Sequence, residues 1–316
     1  MTSALVLVAF AVTAGTWGVS ALTQARWTAR APRLAIAAWQ ALATSVLLSI
    51  AAAGAALAIG FQHVRGDLAQ LFNVCVENLK HGYASPGGTV VATLGLASLS
   101  ILATRTLWCT LSIWRQDANE RRARVAMLDL VGHAGIVPGV LVLDHHAPYA
   151  FCIGGRRHRV VVTSALLDSL DPCELDAVLA HEAAHLRQRH HAALMICRIT
   201  FGTLAPFFPA FRTALPHVRL FAELSADDSA RKRVGVAPLR SALLHLARIP
   251  APSGTLAASA SDVETRLVRL TDQKAGLPRR RAVVAGVTIA GLVVVPLALV
   301  AAPVVAMAWE GMCLIG

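Results

Sequence analysis

Four stretches without a single Asp, Glu, Lys or Arg constrain this 316-residue chain more than anything else in it: Met1–Ala25, Leu34–Val64, His81–Thr104 and Ala282–Trp309. Each exceeds the roughly 20 residues that a helix needs to cross a ~30 Å hydrocarbon layer. No water is available there to satisfy backbone N–H and C=O groups, so such stretches fold as helices that bond internally. A hydrophobic content of 56%, a charged content of 15% and a mean hydropathy of +0.59 exceed what a soluble domain carries, and the excess lies in these blocks. The reading is a mainly α membrane protein with transmembrane helices at about 3–25, 34–62, 84–108 and 282–309. Pro296 and Pro303 are expected to kink the last.

Charge around the blocks sets the expected orientation. No Lys or Arg precedes the first block, whereas Arg26, Arg30 and Arg33 follow it. That asymmetry argues against a cleaved signal peptide and puts the N-terminus outside. The connection at 65–80 balances Arg65 and Lys80 against Asp67 and Glu77. The segment 115–281 opens with Arg115, Arg121, Arg122 and Arg124 and closes with Arg279, Arg280 and Arg281. Residues 1–114 therefore read as three membrane helices, 115–281 as a cytoplasmic domain inserted between the third and fourth, 282–309 as the fourth helix and 310–316 as a short extracytoplasmic tail. Trp108 and Trp114 suit an interfacial aromatic belt. The net charge of +11 raises the question of nucleic acid. Juxtamembrane arginines that fix topology and attract anionic lipid account for it, no nucleic-acid motif accompanies them, and direct DNA binding is rejected.

Within 115–281 stands His181-Glu182-Ala183-Ala184-His185. On a helix this H-E-x-x-H spacing sets two imidazoles on one face, able to hold one Zn²⁺, and leaves Glu182 free as a general base. Asp171, Pro172 and Glu174 read as N-cap, first helical residue and capping box. Leu175, Val178, Leu179 and Leu186 then recur at helical spacing on a neighbouring stripe. A catalytic zinc takes three protein ligands and keeps a fourth position open, and Glu223-Leu224-Ser225-Ala226-Asp227 is the best downstream source of the third. Glu223 and Asp227 share a face, one to ligate and one to support a ligating imidazole from behind.

Val161-Val162-Thr163-Ser164, Leu166-Leu167, the run to His185 and the Glu223–Asp227 segment together resemble integral-membrane gluzincin peptidases over roughly residues 125–275. Two branches share the pattern: the peptidase modules of BlaR/MecR-like β-lactam sensor-transducers and the heat-shock and CAAX-prenyl membrane proteases. Pro206-Phe207-Phe208-Pro209 looks more like the sensor-transducer branch. The resemblance implies an α+β zincin domain in which His181, His185 and Glu223 bind one zinc, Glu182 is the base and Asp227 orients a ligand. The implied substrate is a cytoplasmic protein, a DNA-binding repressor if the pathway is regulatory or antibiotic-responsive. Cleavage of misfolded membrane proteins is the alternative within enzymes, and a signalling or scaffold protein with a structural zinc site is the alternative outside them.

Arg159-Val160-Val161-Val162-Thr163 is the β-branched run expected to form the edge strand beside substrate, with Gly154-Gly155 as the turn before it. His245 is the candidate transition-state stabiliser. Six cysteines, at 75, 109, 152, 173, 197 and 313, show no C-x-x-C pairing and imply no disulfide framework. Cys173 and Cys197 are expected to pack as small apolar residues, and only Cys75 and Cys313 fall outside. Residues 192–211 read as a core helix followed by a loop, with a membrane-dipping segment as the second reading. The stretch 250–260 reads as a surface loop that is long enough to reach its own site for self-cleavage. A second capping box, Ser261 to Glu264, opens a helix whose Arg266 and Arg269 read first as salt-bridged surface groups, with substrate contacts and lipid contacts as the alternatives. Ser229-Ala230-Arg231-Lys232 fits S-x-x-K by coincidence, since its companion motifs are absent. Seven residues follow Trp309, so no extracellular penicillin-sensing domain is expected.

Overall fold

The computed structural model describes residues 2–59, 88–134, 140–153, 159–248, 260–272 and 276–313. The connection at 65–80 with Cys75, the Gly154-Gly155 turn and nearly all of the 250–260 loop lie outside these residues, as does the side chain of Cys313.

Four helices are long and apolar enough to cross a membrane. The first, α1, runs over Thr2–Gln24 with a π turn at Ala14–Gly18. A short helix α2, Trp27–Arg30, leads into α3, Pro32–Ile59, and α4 follows at Gly88–Val131. The last of the four spans Arg279–Cys313 and passes through Pro296 and Pro303 without interruption. The third span differs from expectation: α4 does not stop near 108 but continues to Val131. No Gly or Pro lies between Gly95 and Gly132. Its charged half is laced by i,i+4 pairs, Asp117 with Arg121 and Glu120 with Arg124 at 3.0 Å, so composition changes without any helix stop. Arg105 Nη2 donates to the Gly202 carbonyl at 3.1 Å and Arg198 to Gln116 at 3.0 Å, which holds this helix along the segment near 200.

A four-stranded sheet follows, with β1 at Gly132–Ala134, β2 at Val140–Leu143, β3 at Ala150–Ile153 and β4 at Arg159–Thr163. Its order is β1-β2-β4-β3, and β4 pairs parallel with β2 and antiparallel with β3. The expectation for Val160, Val161 and Val162 is thereby corrected: they form an internal strand with both ladder edges occupied, and β3 is the edge. The physical reason is burial on both faces. Val161 packs with Leu128, Leu143 and Ile153, while Val162 packs with Leu166, Leu170 and Val178. A β-branched run marks such a central strand as readily as an edge.

Helices α5 (Ser164–Ser169), α6 (Pro172–Arg187), α7 (His190–Leu204), α8 (Ala214–Val234), α9 (Val236–Ala247) and α10 (Ala260–Thr271) complete the domain, and α11 is the last span, Arg279–Cys313. The apolar stretch 192–211 becomes α7 and a 3₁₀ turn at Pro209–Thr213. It shares one core with the membrane helices. Fully buried Trp39 of α3 meets Phe201 of α7 edge-on at 5.9 Å and stacks on His217 of α8 at 6.2 Å.

Helices α3 and α4 touch through glycine. A Cβ at Gly95 would lie 2.6 Å from the Ala58 nitrogen and 2.7 Å from the Gly54 oxygen, both backbone atoms that cannot step aside. Small residues allow such close approach where lipid supplies no hydrophobic drive between helices. Gly95→Ala should therefore push the pair apart and destabilise the protein by about 1–3 kcal/mol. Gly291→Ala, which meets open space, should not. Thermal unfolding in detergent reads the difference, and equal midpoints for the two variants would refute the contact.

Candidate metal centre

Helix α6 begins where the sequence marks it. Glu174 N–H donates to Asp171 Oδ1 at 2.8 Å and the Asp171 N–H to Glu174 Oε2 at 3.3 Å, closing the capping box ahead of Pro172. Ala177, Ala180 and Ala184 bury one face. Their small side chains let α8 come close enough for its carboxylates to meet the histidines.

The three expected ligands converge. His181 Nε2 and His185 Nε2 stand 3.1 Å apart, His181 Nε2 lies 3.2 Å from Glu223 Oε2, and His185 Nε2 lies 3.4 Å from Glu223 Oε1. A tetrahedral zinc with ~2.0–2.1 Å bonds has ligand-to-ligand edges of about 3.3–3.4 Å, so this donor set fits the ion. Its chemistry fits as well. Both imidazoles are engaged from behind through Nδ1, His181 by Asp227 Oδ1 at 2.9 Å in a bent contact and His185 by His190 Nδ1 at 2.9 Å. With a cation bound and Nδ1 carrying the proton, each Nε2 would offer a lone pair, so the two rings and the Glu223 carboxylate make a donor set of three for one ion.

Asp227 thus lies behind His181, where the sequence placed it. Glu182 sits beside the triad, with the Cys152 thiol of β3 as a neighbour. Burial raises the Glu182 pKa above the ordinary carboxylate value. Burial, reinforced by the Glu182 charge, pushes the Cys152 thiol up to about 12, so it remains a donor. For the ion-free cluster, burial disfavours the charged form of His181, yet the carboxylates of Asp227 and Glu223, which accept from the ring, outweigh it and raise the ring to about 10. His185 is pulled down to about 3 by burial. The Glu223 carboxyl falls to about 2 because its histidine and arginine neighbours overcome the cost of burial.

Two expectations fail here. His245 is not at the cluster: its Nδ1 lies 3.4 Å from Glu174 Oε2 at the start of α6, two turns from His181. Arg266 is not a surface group. It is buried, grips both Asp227 oxygens at 2.8 Å and lies 3.2 Å from Glu223 Oε2. Arg269, one turn on, is bidentate to Asp228 at 2.7 Å and donates to the Ala29 carbonyl at 2.6 Å. Cys197 is buried as expected, whereas Cys173 is exposed in the first turn of α6. Ser229 accepts from Gln188 Nε2 at 2.7 Å, an ordinary structural contact.

His190, Arg266 and Cys152 are the site residues that sequence reading missed. His190 lies past the end of α6, after Arg189 turns the chain at a left-handed φ of 51°. Helical periodicity from His185 does not reach it. Among the described residues, His181, His185 and Glu223 are the group able to hold a metal ion.

The family model described as Peptidase family M48 matches residues 117–226. A 61-residue stretch is 43% identical to Protease HtpX homolog 2 of Methanosarcina mazei, covering 19% of this chain and 21% of that protein. Over 84 residues the chain is 36% identical to the Protease HtpX homolog of Acidiphilium cryptum, covering 25% and 29%. Over 151 residues it is 30% identical to the Protease HtpX homolog of Chlorobium phaeobacteroides, covering 45% and 50%. These matches span about a fifth to a half of the relatives' own length, and none of the three names a sensor-transducer. No solved structure matches. The similarity supports the heat-shock membrane protease side of the resemblance.

Arg266→Met would leave Asp227 buried without its main counter-charge. Removing one partner of such a pair costs about 3–5 kcal/mol. The expected result is a large drop in the midpoint of thermal unfolding, and a midpoint within error of wild type would contradict the buried pairing.

Proposed function

We propose that this chain is a membrane zinc endopeptidase that cleaves protein substrates. The observation that carries the reading is the convergence of His181 Nε2, His185 Nε2 and Glu223 on one point at tetrahedral spacing, with the Glu182 carboxyl beside it. Glu223 keeps 34% of its side chain open to solvent, so the cluster has an accessible side, as a catalytic site requires and a closed structural site does not.

Zinc held there supplies Lewis acidity to a substrate carbonyl and lowers the pKa of water to about 7. Glu182 accepts the proton of the attacking water and delivers it to the leaving amine. Its raised pKa brings it nearer to that task, while the Cys152 thiol orients the carboxylate. Asp227 and His190 hold the two rings by Nδ1 so that Nε2 faces the metal. An extended substrate segment would add to the free edge of β3, the strand that carries Cys152 and packs on α6.

The arginines at 115–124 and 279–281 support a cytoplasmic domain between the third and fourth spans, with both termini outside. A reporter fused near residue 150 should then be inside the cell and one fused after Trp309 outside. The reverse pattern would invert the topology.

Glu182→Gln should keep about one zinc per chain and lose proteolysis, whereas Glu223→Ala should lower metal affinity itself. Normal cleavage by Glu182→Gln would sink the mechanism, and intact biological activity without cleavage would favour a structural zinc. New protein N-termini compared between wild type and Glu182→Gln separate the two substrate classes. Cuts spread over many membrane proteins would identify a quality-control protease. A cut confined to one DNA-binding regulator would identify the repressor-cleaving alternative.

A further inference from the structure

A cavity of about 610 Å³ lies away from the metal cluster, between the C-terminal end of α1, the start of α3 and the first turns of α11. Its size falls within the roughly 300–1,000 Å³ of small-molecule sites. Leu22, Leu42 and Leu292 are among its apolar walls, Trp27 also lines it, and Arg280 and Arg281 are its only charged lining groups among the described residues. Among the described residues no carboxylate lines it, and both arginines are exposed.

The dimensions match one leaflet. From Arg281 to Leu292 an α-helix rises about 16 Å. Half of a ~30 Å hydrocarbon layer is about 15 Å. An acyl chain lying along these walls would therefore place its headgroup at the level of Arg280 and Arg281, where Trp27 sits as an interfacial aromatic. Guanidinium groups recognise phosphate oxygens through paired N–H donors, and basic pockets between membrane helices hold anionic headgroups in this way. Apolar walls alone would take any lipid; two cations at the mouth, with no carboxylate among the described lining residues, select charge.

We infer that this cavity is a binding site for one anionic glycerophospholipid, its acyl chain between α1, α3 and α11 and its phosphate on Arg280 and Arg281. The inference rests on the bilayer-spanning reading of these helices. The site is separate from the metal cluster, so lipid occupancy does not depend on zinc or on proteolysis.

The test uses the full-length chain purified in detergent and offered equal amounts of phosphatidylglycerol and phosphatidylcholine with identical acyl chains, with retained lipid counted by native mass spectrometry. Wild type should hold one phosphatidylglycerol with a preference of roughly 30-fold, as expected for two arginines at a membrane surface. Arg280→Gln/Arg281→Gln should bring that preference close to one. Arg279→Gln, one residue before the lining pair, should keep it. Inorganic phosphate should not displace the lipid; displacement would reduce the site to an anion site and overturn the lipid assignment. Equal retention of both lipids by wild type, or loss of preference in Arg279→Gln as great as in the double variant, would also overturn it. Alkaline carbonate extraction of cell membranes is the separate check: a chain released by carbonate overturns the bilayer reading itself, whereas a chain that stays and shows no lipid preference overturns only the site.

Discussion

Glu223 and Asp227 stand one turn apart on α8, and the rest of the centre is arranged around their charge. Asp227 is almost wholly buried, at 1% exposure, which is tolerable because Arg266 meets it with two donors, and the His181 ring lies 2.9 Å from it. That pairing fixes Asp227, Asp227 fixes the His181 ring, and the ring then faces Glu223 and His185. Arg266 comes from α10, beyond α9 in the chain. Closure of the cluster therefore waits on tertiary packing, and no isolated fragment of α6 and α8 would have its charges balanced.

The centre is also tied to the membrane helices by direct polar contacts. Arg269 joins Asp228 of α8 to the Ala29 carbonyl of α2. Arg33, at the start of α3, donates to Gln188 Oε1 at 3.1 Å, and the same oxygen lies 3.1 Å from His190 Nε2, whose other nitrogen meets His185. A chain of hydrogen bonds thus leads from the second span to a metal-facing histidine. Beneath it, Trp39, Phe201 and Val218 form one apolar core with α1. Domain and membrane helices share a core here, so motion of one entails repacking of the other.

What was legible in the sequence follows from local rules. Uninterrupted apolar length marked the four long helices, and the Asp171–Glu174 capping box marked the start of α6 because both of its bonds close within one turn. The i,i+4 spacing put His181 beside His185 and Glu223 near Asp227 for the same reason. Strand position was not legible, since Val160–Val162 has the composition of an edge and of a centre alike, and only pairing partners distinguish them. The full length of α4 is not legible, because the change from apolar to charged residues at 115 looks like a boundary yet supplies no helix stop. Arg266 and His190 were unreadable because nothing local fixes them: one arrives from a helix more than thirty residues downstream of Asp227, the other after a left-handed turn.

Cys152 shows why the edge strand matters to the chemistry as well as to the fold. A thiol pushed up to about 12 keeps its proton at any physiological pH and can donate to Glu182 without competing for the metal, for which a thiolate would be needed. The carboxylate beside it is raised by burial, so it holds a proton more readily than a solvated glutamate would. In the proposed mechanism β3 would therefore supply both a donor to orient the base and, among the described residues, an unpaired backbone edge on which an extended chain can lie. A peptide added to that edge would run along α6 with its carbonyls beside Glu182, so position and proton transfer would be set by the same strand.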